Sequence, residues 1–587
     1  MCGITGWLNL PGRTYGTAVL ERMADSIRHR GPDDHGYYEE PESGLALAHR
    51  RLSIIDLTSA SHQPMVDKER GVVLSYNGEL YNYQQLRRDL ESKGHRFHSS
   101  GDTEVVLRSF IEWGVDAFER FCGMFGLAIW DGSSKTLHLA RDAMGIKPVY
   151  WVSRPEGVAF ASELKALLEL PDFVARLDQD ALQQYLEFGY VFEGQATLLA
   201  DINKLAPGHR LEVRGGRVVA DVAFFQPPAP DMADQRDEAA RLEEFDAVLE
   251  QVVDEHLIAD VPVGLLLSGG LDSSVIAALA AKRGPLLTIS MAFGDSKVDE
   301  REQARTVSDY IGSKQVDILI PPEAIRQEVI NGSWIFDDLF ADWGAISTRL
   351  LYRQCRERGI KVVLVGEGAD ELFGGYGCFN VPEQLGLWQQ FHLYRSYAGR
   401  RYGRLFSRFH NLFEDYLQVS NGDSFHAVRL FESRRQLPNQ YVMKVDKASM
   451  AESVEARTPY LDRRVAELAY KTPKEWWLRN GENKYLLRAL ARRNVWLPES
   501  ISGRQKFGAS IAASWMDEDR EFRQFSRDAL LAPNSLTHRL GLARPMQAYF
   551  DEGKSGYPFP RAISIFRNLA WRLLLLELWG QHYRVSL

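Results

Sequence analysis

Short apolar runs closed by glycine alternate with amphipathic stretches through the second half of this chain. Val263–Leu267 ends in Ser268-Gly269-Gly270, then Leu271-Asp272-Ser273-Ser274 leads into the apolar stretch Val275–Ala280. The pattern predicts a strand, a tight loop and a helix N-terminus. Leu286–Met291 and Lys361–Val365 read as further strands, and Glu300–Ile311 as a helix. Leu242, Phe245, Val248, Leu249, Val252, Val253 and Leu257 recur at helical spacing, which predicts a core-facing helix. Strands alternating with helices predict a parallel sheet covered on both faces, with its ligand beyond the strands' C-terminal ends. Earlier in the chain, Val72–Leu74, Phe125–Trp130 and Thr136–Ala140 read as strands. Trp571, Leu574, Leu575, Leu578 and Trp579 form a core stripe near the end.

At 587 residues the chain is long enough for two or more domains, and 45% hydrophobic residues is ordinary for globular proteins. A net charge of −9 argues against a dedicated nucleic-acid binder. The Arg-aromatic stretch from Tyr394 to Phe409 therefore reads as a charged helical face. No apolar run approaches a membrane span, and the N-terminus lacks a signal-peptide pattern. The four cysteines, Cys2, Cys122, Cys355 and Cys378, have neither metal-type nor disulfide-type spacing, which fits a reducing cytoplasm.

Candidate chemistry sits in two regions. Paired glycines and a helix N-terminus bring backbone N–H groups to an anion, so the Ser268–Ser274 loop suits phosphate. Asp272 among those donors makes sense as a holder of Mg²⁺. The loop lacks Gly-Lys-Ser/Thr and is not the common P-loop. A second glycine-rich loop, Gly366–Tyr376, crowds Glu367, Asp370 and Glu371 just past a strand, where one serves as metal ligand and another as base. At the other end, removal of Met1 would leave Cys2 with a free α-amine of pKa about 7.7–8.0, so one residue supplies thiol nucleophile and base. Arg51 suits a carboxylate. The Asn77 amide and Gly78 N–H suit an oxyanion. Glu79 and Asp102 suit an ammonium group. Together these are what glutamine hydrolysis needs.

Cys2-Gly3-Ile4, Arg28–Asp33, His49–Ser53, Asn77-Gly78-Glu79, Arg141–Tyr150 and Phe160–Lys165 resemble the N-terminal-nucleophile glutamine amidotransferase domain. Ser268–Ser274, Gly366–Tyr376, Lys444–Met450, Glu455–Asp462, Asn483–Arg488 and Arg504–Gly508 resemble, in that order, the synthetase half of the glutamine-hydrolysing asparagine synthetase family. The resemblance implies an αββα Ntn-hydrolase sandwich followed by an α/β ATP-pyrophosphatase domain. It implies glutamine contacts from Arg51 and the backbone at Ile54 and Ile55. Ser268, Gly269, Gly270, Asp272 and Ser273 would hold pyrophosphate and Mg²⁺. Leu266, Met291, Val365 and Gly366 would line adenosine, and Asp370 would be the second metal ligand. Glu367 would act as base for ammonia attack, Lys506 would stabilise negative charge, and Lys484 would contact phosphate.

The expected layout is a glutaminase domain at 1–210, a Pro-rich linker at 211–237 and a synthetase domain at 238–587. Expected partners are glutamine, ATP and a carboxylate acceptor, aspartate first; a homodimer is compatible with the chain. Three departures from the common family pattern, at Asp337–Asp342, Val365 and Gly312–Gln315, bear on the acceptor. The alternative is an amidotransferase acting on another carboxylate, such as a sugar uronic acid or a natural-product precursor.

Overall fold

The computed structural model describes residues 2–10, 15–171, 173–292, 299–380, 412, 414–504, 516, 519–551 and 560–586. The stretch 394–409 and Lys506 lie outside them.

The first domain is built on twelve strands: β1 (Gly3–Leu8), β2 (Asp34–Glu40), β3 (Leu45–Arg51), β4 (Met65–Asp67), β5 (Val72–Leu80), β6 (Gly123–Asp131), β7 (Thr136–Arg141), β8 (Tyr150–Ser153), β9 (Val158–Ala161), β10 (Ile202–Lys204), β11 (His209–Arg214) and β12 (Arg217–Ala223). They form two six-stranded sheets, ordered β10-β8-β9-β1-β3-β2 and β12-β11-β7-β6-β5-β4, with antiparallel pairing throughout. Side chains alternate across a strand, so Ile4, Leu8, Leu45 and Leu47 meet Val73, Ala128, Trp130, Leu137 and Leu139 in one buried layer between the sheets. The helix Thr17–Ser26 packs on β1 and β3, and Asp102–Trp113 packs on β5, which completes the αββα layering.

The expected boundary at 210 is corrected by this sheet. β11 pairs with β7 from Arg210 to Arg214, and β12 returns along β11 as far as Ala223. The connecting segment therefore starts after Ala223, at the buried Phe224 and Phe225.

The second domain opens with the helix Glu238–His256, which buries Leu242, Phe245, Leu249, Val252 and Val253 as its spacing predicts. Its sheet has five parallel strands: β13 (Val263–Leu266), β14 (Leu287–Ala292), β15 (Lys314–Leu319), β16 (Val362–Leu364) and β17 (Glu455–Arg457), ordered β15-β14-β13-β16-β17. The chain runs outward from β13 to β15, then returns to place β16 on the other side of β13. That reversal makes a crevice at the C-terminal ends of β13 and β16, where both glycine-rich loops begin. A ten-residue π-helical run, Glu432–Tyr441, precedes the helix Val442–Met450. The C-terminal helix Pro560–His582 buries Trp571, Leu574 and Trp579. No helix among the described residues is long and apolar enough to cross a membrane.

Buried charge joins the domains. Arg30, fully buried, bonds Asp446 through both terminal nitrogens, at 2.9 and 3.0 Å, and Glu163 at 2.7 Å. Lys147 Nζ reaches the same Asp446 at 3.1 Å. Burial works against the charge of Asp446, but Arg30 and Lys147 outweigh it and hold the carboxyl below its ordinary range. Nearby, Lys447 pairs with Asp337, and Asp338 accepts from Tyr150 and Lys204, each at 3.2 Å.

Asp446→Ala leaves Arg30 and Lys147 buried without this partner. Removing one member of a buried pair costs about 3–5 kcal/mol, so the urea midpoint should fall clearly; an unchanged midpoint would show that the pair carries no weight. The depressed pKa places this stabilisation above the ordinary carboxylate range, and it should be lost as pH falls through the lower, folded-state value.

Candidate functional site

Cys2 directly precedes β1, an inner strand of the first sheet, while Asn77-Gly78-Glu79 lies near the end of β5 in the second. Stacking the sheets brings these together. The Cys2 backbone N donates to Asn77 Oδ1 at 3.0 Å, and the Cys2 carbonyl accepts from Arg30 Nε at 3.0 Å. Asn77 is fully buried, and its Nδ2 has no hydrogen-bond partner among the described residues. A buried amide N–H₂ without a partner is costly unless a ligand oxygen completes it. Burial pushes the Cys2 thiol above its ordinary value, so a base close by is needed to make the thiolate.

The other expected glutamine contacts surround the same corner. Asp102, near the start of its helix, accepts from Tyr76 Oη at 3.0 Å and Leu80 N at 2.9 Å. Glu79 is buried and faces Arg457 of the second domain at 3.3 Å. Burial pushes both carboxyls up; Arg457 opposes the rise at Glu79, and the two hydrogen bonds oppose it at Asp102. Arg51 is buried and donates to the carbonyls of Thr58 and Asp56, so it also shapes the loop that follows Ile54 and Ile55. The Ile54 carbonyl accepts from Asp260 N of the second domain at 2.9 Å.

The second cluster lies at the β13/β16 crevice. Gly269 has φ +70°, the left-handed turn that lets the chain leave β13 and enter the helix Leu271–Ala281. Ser273 Oγ accepts from Ser268 N at 3.3 Å and lies 3.1 Å from Ser268 Oγ, which holds the loop's donors in one place. Asp272 sits in the first helical turn, and its carbonyl accepts from Tyr460 Oη at 2.9 Å. Leu266 ends β13, Met291 lies one residue before the end of β14, and Val365 and Gly366 follow β16, so all four lie at the same sheet edge.

Asp370 sits in the first turn of the short helix Ala369–Phe373. Lys484 joins it to Asp272: its Nζ is 2.6 Å from Asp272 Oδ2 and 2.6 Å from Asp370 Oδ1. Two carboxylates gathered on one cation fit Mg²⁺, which takes one or two protein carboxylates and completes its shell with phosphate oxygens and water. Glu367 is half-buried; burial raises its pKa, and Lys444 opposes the rise. Lys444 itself lies 3.6 Å from Asp342, and Asp342 and Glu367 outweigh burial to keep it a firm cation. The π-helical run sets Tyr441 with its ring 6.2 Å from that of Tyr376, consistent with the frequent use of this geometry near sites.

Arg30, Arg457 and Lys444 belong to these clusters, yet they stand out in the sequence only as members of longer motifs. Their partners are far away in the chain; Arg30 and Asp446 are 416 residues apart.

Comparison with known proteins agrees with this division. Residues 1–223 match the glutamine amidotransferase domain model, and residues 244–581 match the asparagine synthase model. The first match ends at the last residue of β12. Asparagine synthetase [glutamine-hydrolyzing] 1 of Bacillus subtilis is 32% identical over 87% of each chain. Asparagine synthetase [glutamine-hydrolyzing] 3 of the same organism is 29% identical over 86% of each. Amidase chry2 of Gibberella zeae is 30% identical over 65% of this chain and 60% of its own. The chain belongs to the asparagine synthase family and is an ATP-dependent amidating ligase that carries its own glutamine amidotransferase domain.

Proposed function

We propose that this enzyme is a glutamine-dependent asparagine synthetase. The observation that carries the reading is the coexistence in one chain of the Cys2–Asn77 corner and the Asp272–Lys484–Asp370 cluster. With Met1 removed, the Cys2 nitrogen becomes the base for its own thiol. The thiolate attacks the glutamine amide carbon, and Asn77 Nδ2 and the Gly78 N–H receive the oxyanion. Arg51 holds the glutamine α-carboxylate; Glu79 and Asp102 hold its α-ammonium, with the backbone at Ile54 and Ile55 closing the pocket. Ammonia leaves, and water hydrolyses the thioester to glutamate.

At the crevice, the acceptor carboxylate attacks the α-phosphorus of ATP and pyrophosphate departs. Ser268, Gly269, Gly270 and Ser273 hold the departing phosphates, with Lys484 beside them. Leu266, Met291, Val365 and Gly366 border the adenosine. Asp272 and Asp370 would hold Mg²⁺, which when bound neutralises phosphate charge. Glu367 takes a proton as ammonia attacks the acyl-adenylate, and AMP leaves; burial raises its pKa, which makes it a stronger base than an exposed carboxylate. Lys506 is proposed to steady the negative charge in both steps. The cytoplasm is the compartment that fits free thiols at Cys2, Cys122, Cys355 and Cys378.

The alternative acceptor keeps a specific basis. Asp337 and Asp338, in the segment that departs from the family pattern, are buried and paired with Lys447, Lys204 and Tyr150. They hold the domains together, so acceptor recognition falls to other groups, Lys444 and Tyr376 among them. A different carboxylate remains the second reading, and a relative named as an amidase accords with it.

Cys2→Ala should abolish glutamine-dependent amidation and leave ammonia-dependent amidation intact, while Asn77→Ala should lower glutaminase turnover about 10²–10³-fold. Equal loss of the ammonia-dependent reaction in Cys2→Ala would contradict the two-site scheme. Pyrophosphate release measured against a panel of carboxylates should respond most strongly to aspartate. A response to a uronic acid but not to aspartate would select the second reading.

A further inference from the structure

The ammonium of Lys484 stands where a cation shared by Asp272 and Asp370 would stand, 2.6 Å from an oxygen of each. Its placement is constrained from three sides. Lys484 has φ +57°, a left-handed backbone that a non-glycine residue seldom adopts, at the head of the helix Tyr485–Arg493. The preceding Asn483 Nδ2 donates to the Gly374 carbonyl at 2.8 Å, which ties this turn to the second glycine-rich loop. A Cβ at Gly375 would fall 1.9 Å from Asp370 Oδ1 and 2.3 Å from Lys484 Cε, so glycine is what lets this ion pair form. The lysine is only 5% exposed, and Asp272 and Asp370 outweigh burial to keep it charged.

The charges then set an order of events. The ammonium already stands between the two carboxylates, with Glu367 and Arg488 as further charges acting on them. A divalent ion added beside the ammonium would sit at short range from a like charge. A polyphosphate reverses the balance, because it gives the ammonium and the metal a shared anion.

We infer that Lys484 is a built-in counter-ion that closes the Asp272–Asp370 pair to free divalent metal and releases it when a polyphosphate receives the lysine's ammonium. This rests on the reading of Asp272 and Asp370 as the Mg²⁺ ligands. Lys484 is thus a positioning residue. It couples metal entry to nucleotide entry, so an active centre holding metal without ATP is not formed.

The test is Mn²⁺ binding to the full chain, read by the electron paramagnetic resonance of free Mn²⁺, with and without α,β-methylene ATP. The wild type should bind Mn²⁺ weakly alone and at least about tenfold more tightly with the analogue. Lys484→Met should bind Mn²⁺ without nucleotide at least about tenfold more tightly than the wild type. Adding Asp370→Asn to that variant should erase the gain. Lys484→Gln is measured beside it, and near-UV circular dichroism identifies the variant that keeps native packing. Wild-type and lysine variants that bind Mn²⁺ alone equally well overturn the inference, and retained analogue-dependent binding in the wild type then leaves the metal reading standing. No Mn²⁺ binding in the wild type with the analogue, and none in the variants, overturns both.

Discussion

Arg30 is the interaction on which the arrangement of the molecule depends. One guanidinium, fully buried, holds the carbonyl of Cys2, a carboxylate of its own domain and a carboxylate of the other. Burying these charges is expensive, and hydrophobic residues of the same volume would often be at least as stable. What the charges add is direction. The pairing through both terminal nitrogens of Arg30 fixes Asp446, and with it the helix Val442–Met450 that carries Lys444 toward Glu367. A single network therefore positions both the start of β1 and one wall of the crevice.

The two clusters use opposite electrostatic designs. Around Cys2, burial raises the thiol and the Glu79 and Asp102 carboxyls together, and the buried Asn77 amide donor has no partner among the described residues. Under the proposed function, that corner receives a substrate that brings its own ammonium, carboxylate and developing oxyanion. At the crevice, Asp272 and Asp370 are already gathered on a cation, and the Ser268 and Ser273 hydroxyls already lie 3.1 Å apart within the loop. Under the proposed function, that cluster exchanges partners, with phosphate and metal replacing internal pairs. Glu79 and Arg457, one from each domain, face each other at 3.3 Å and place a titratable contact between the two chemistries.

Much of this was legible in the chain because it is local. The Val263–Ala280 stretch carries its own strand, turn and helix signals, and the structure forms β13, a left-handed Gly269 and a helix there. The expected boundary at 210 falls short because Leu211 and Val213 alternate inward on β11 and extend the sheet. The hairpin is short and charged on its outer face, so its pattern is weak. Pairings such as Arg30 with Asp446, or Lys484 with Asp272, leave no local trace, because each side chain reads singly as an ordinary surface charge. Lys484 as a bridge between two carboxylates, rather than a phosphate contact alone, emerges only from three segments meeting at one sheet edge.

The proposed function turns on one point: nitrogen released at Cys2 is used at the crevice of the same molecule before it mixes with solvent. Amide-¹⁵N glutamine, supplied with ATP, acceptor and a large excess of unlabelled ammonium, tests it in one measurement of isotope content in the product amide. Direct transfer gives ¹⁵N enrichment far above its share of the mixed ammonia pool. Enrichment equal to that share would mean that ammonia equilibrates with solvent between the two sites, and would contradict it.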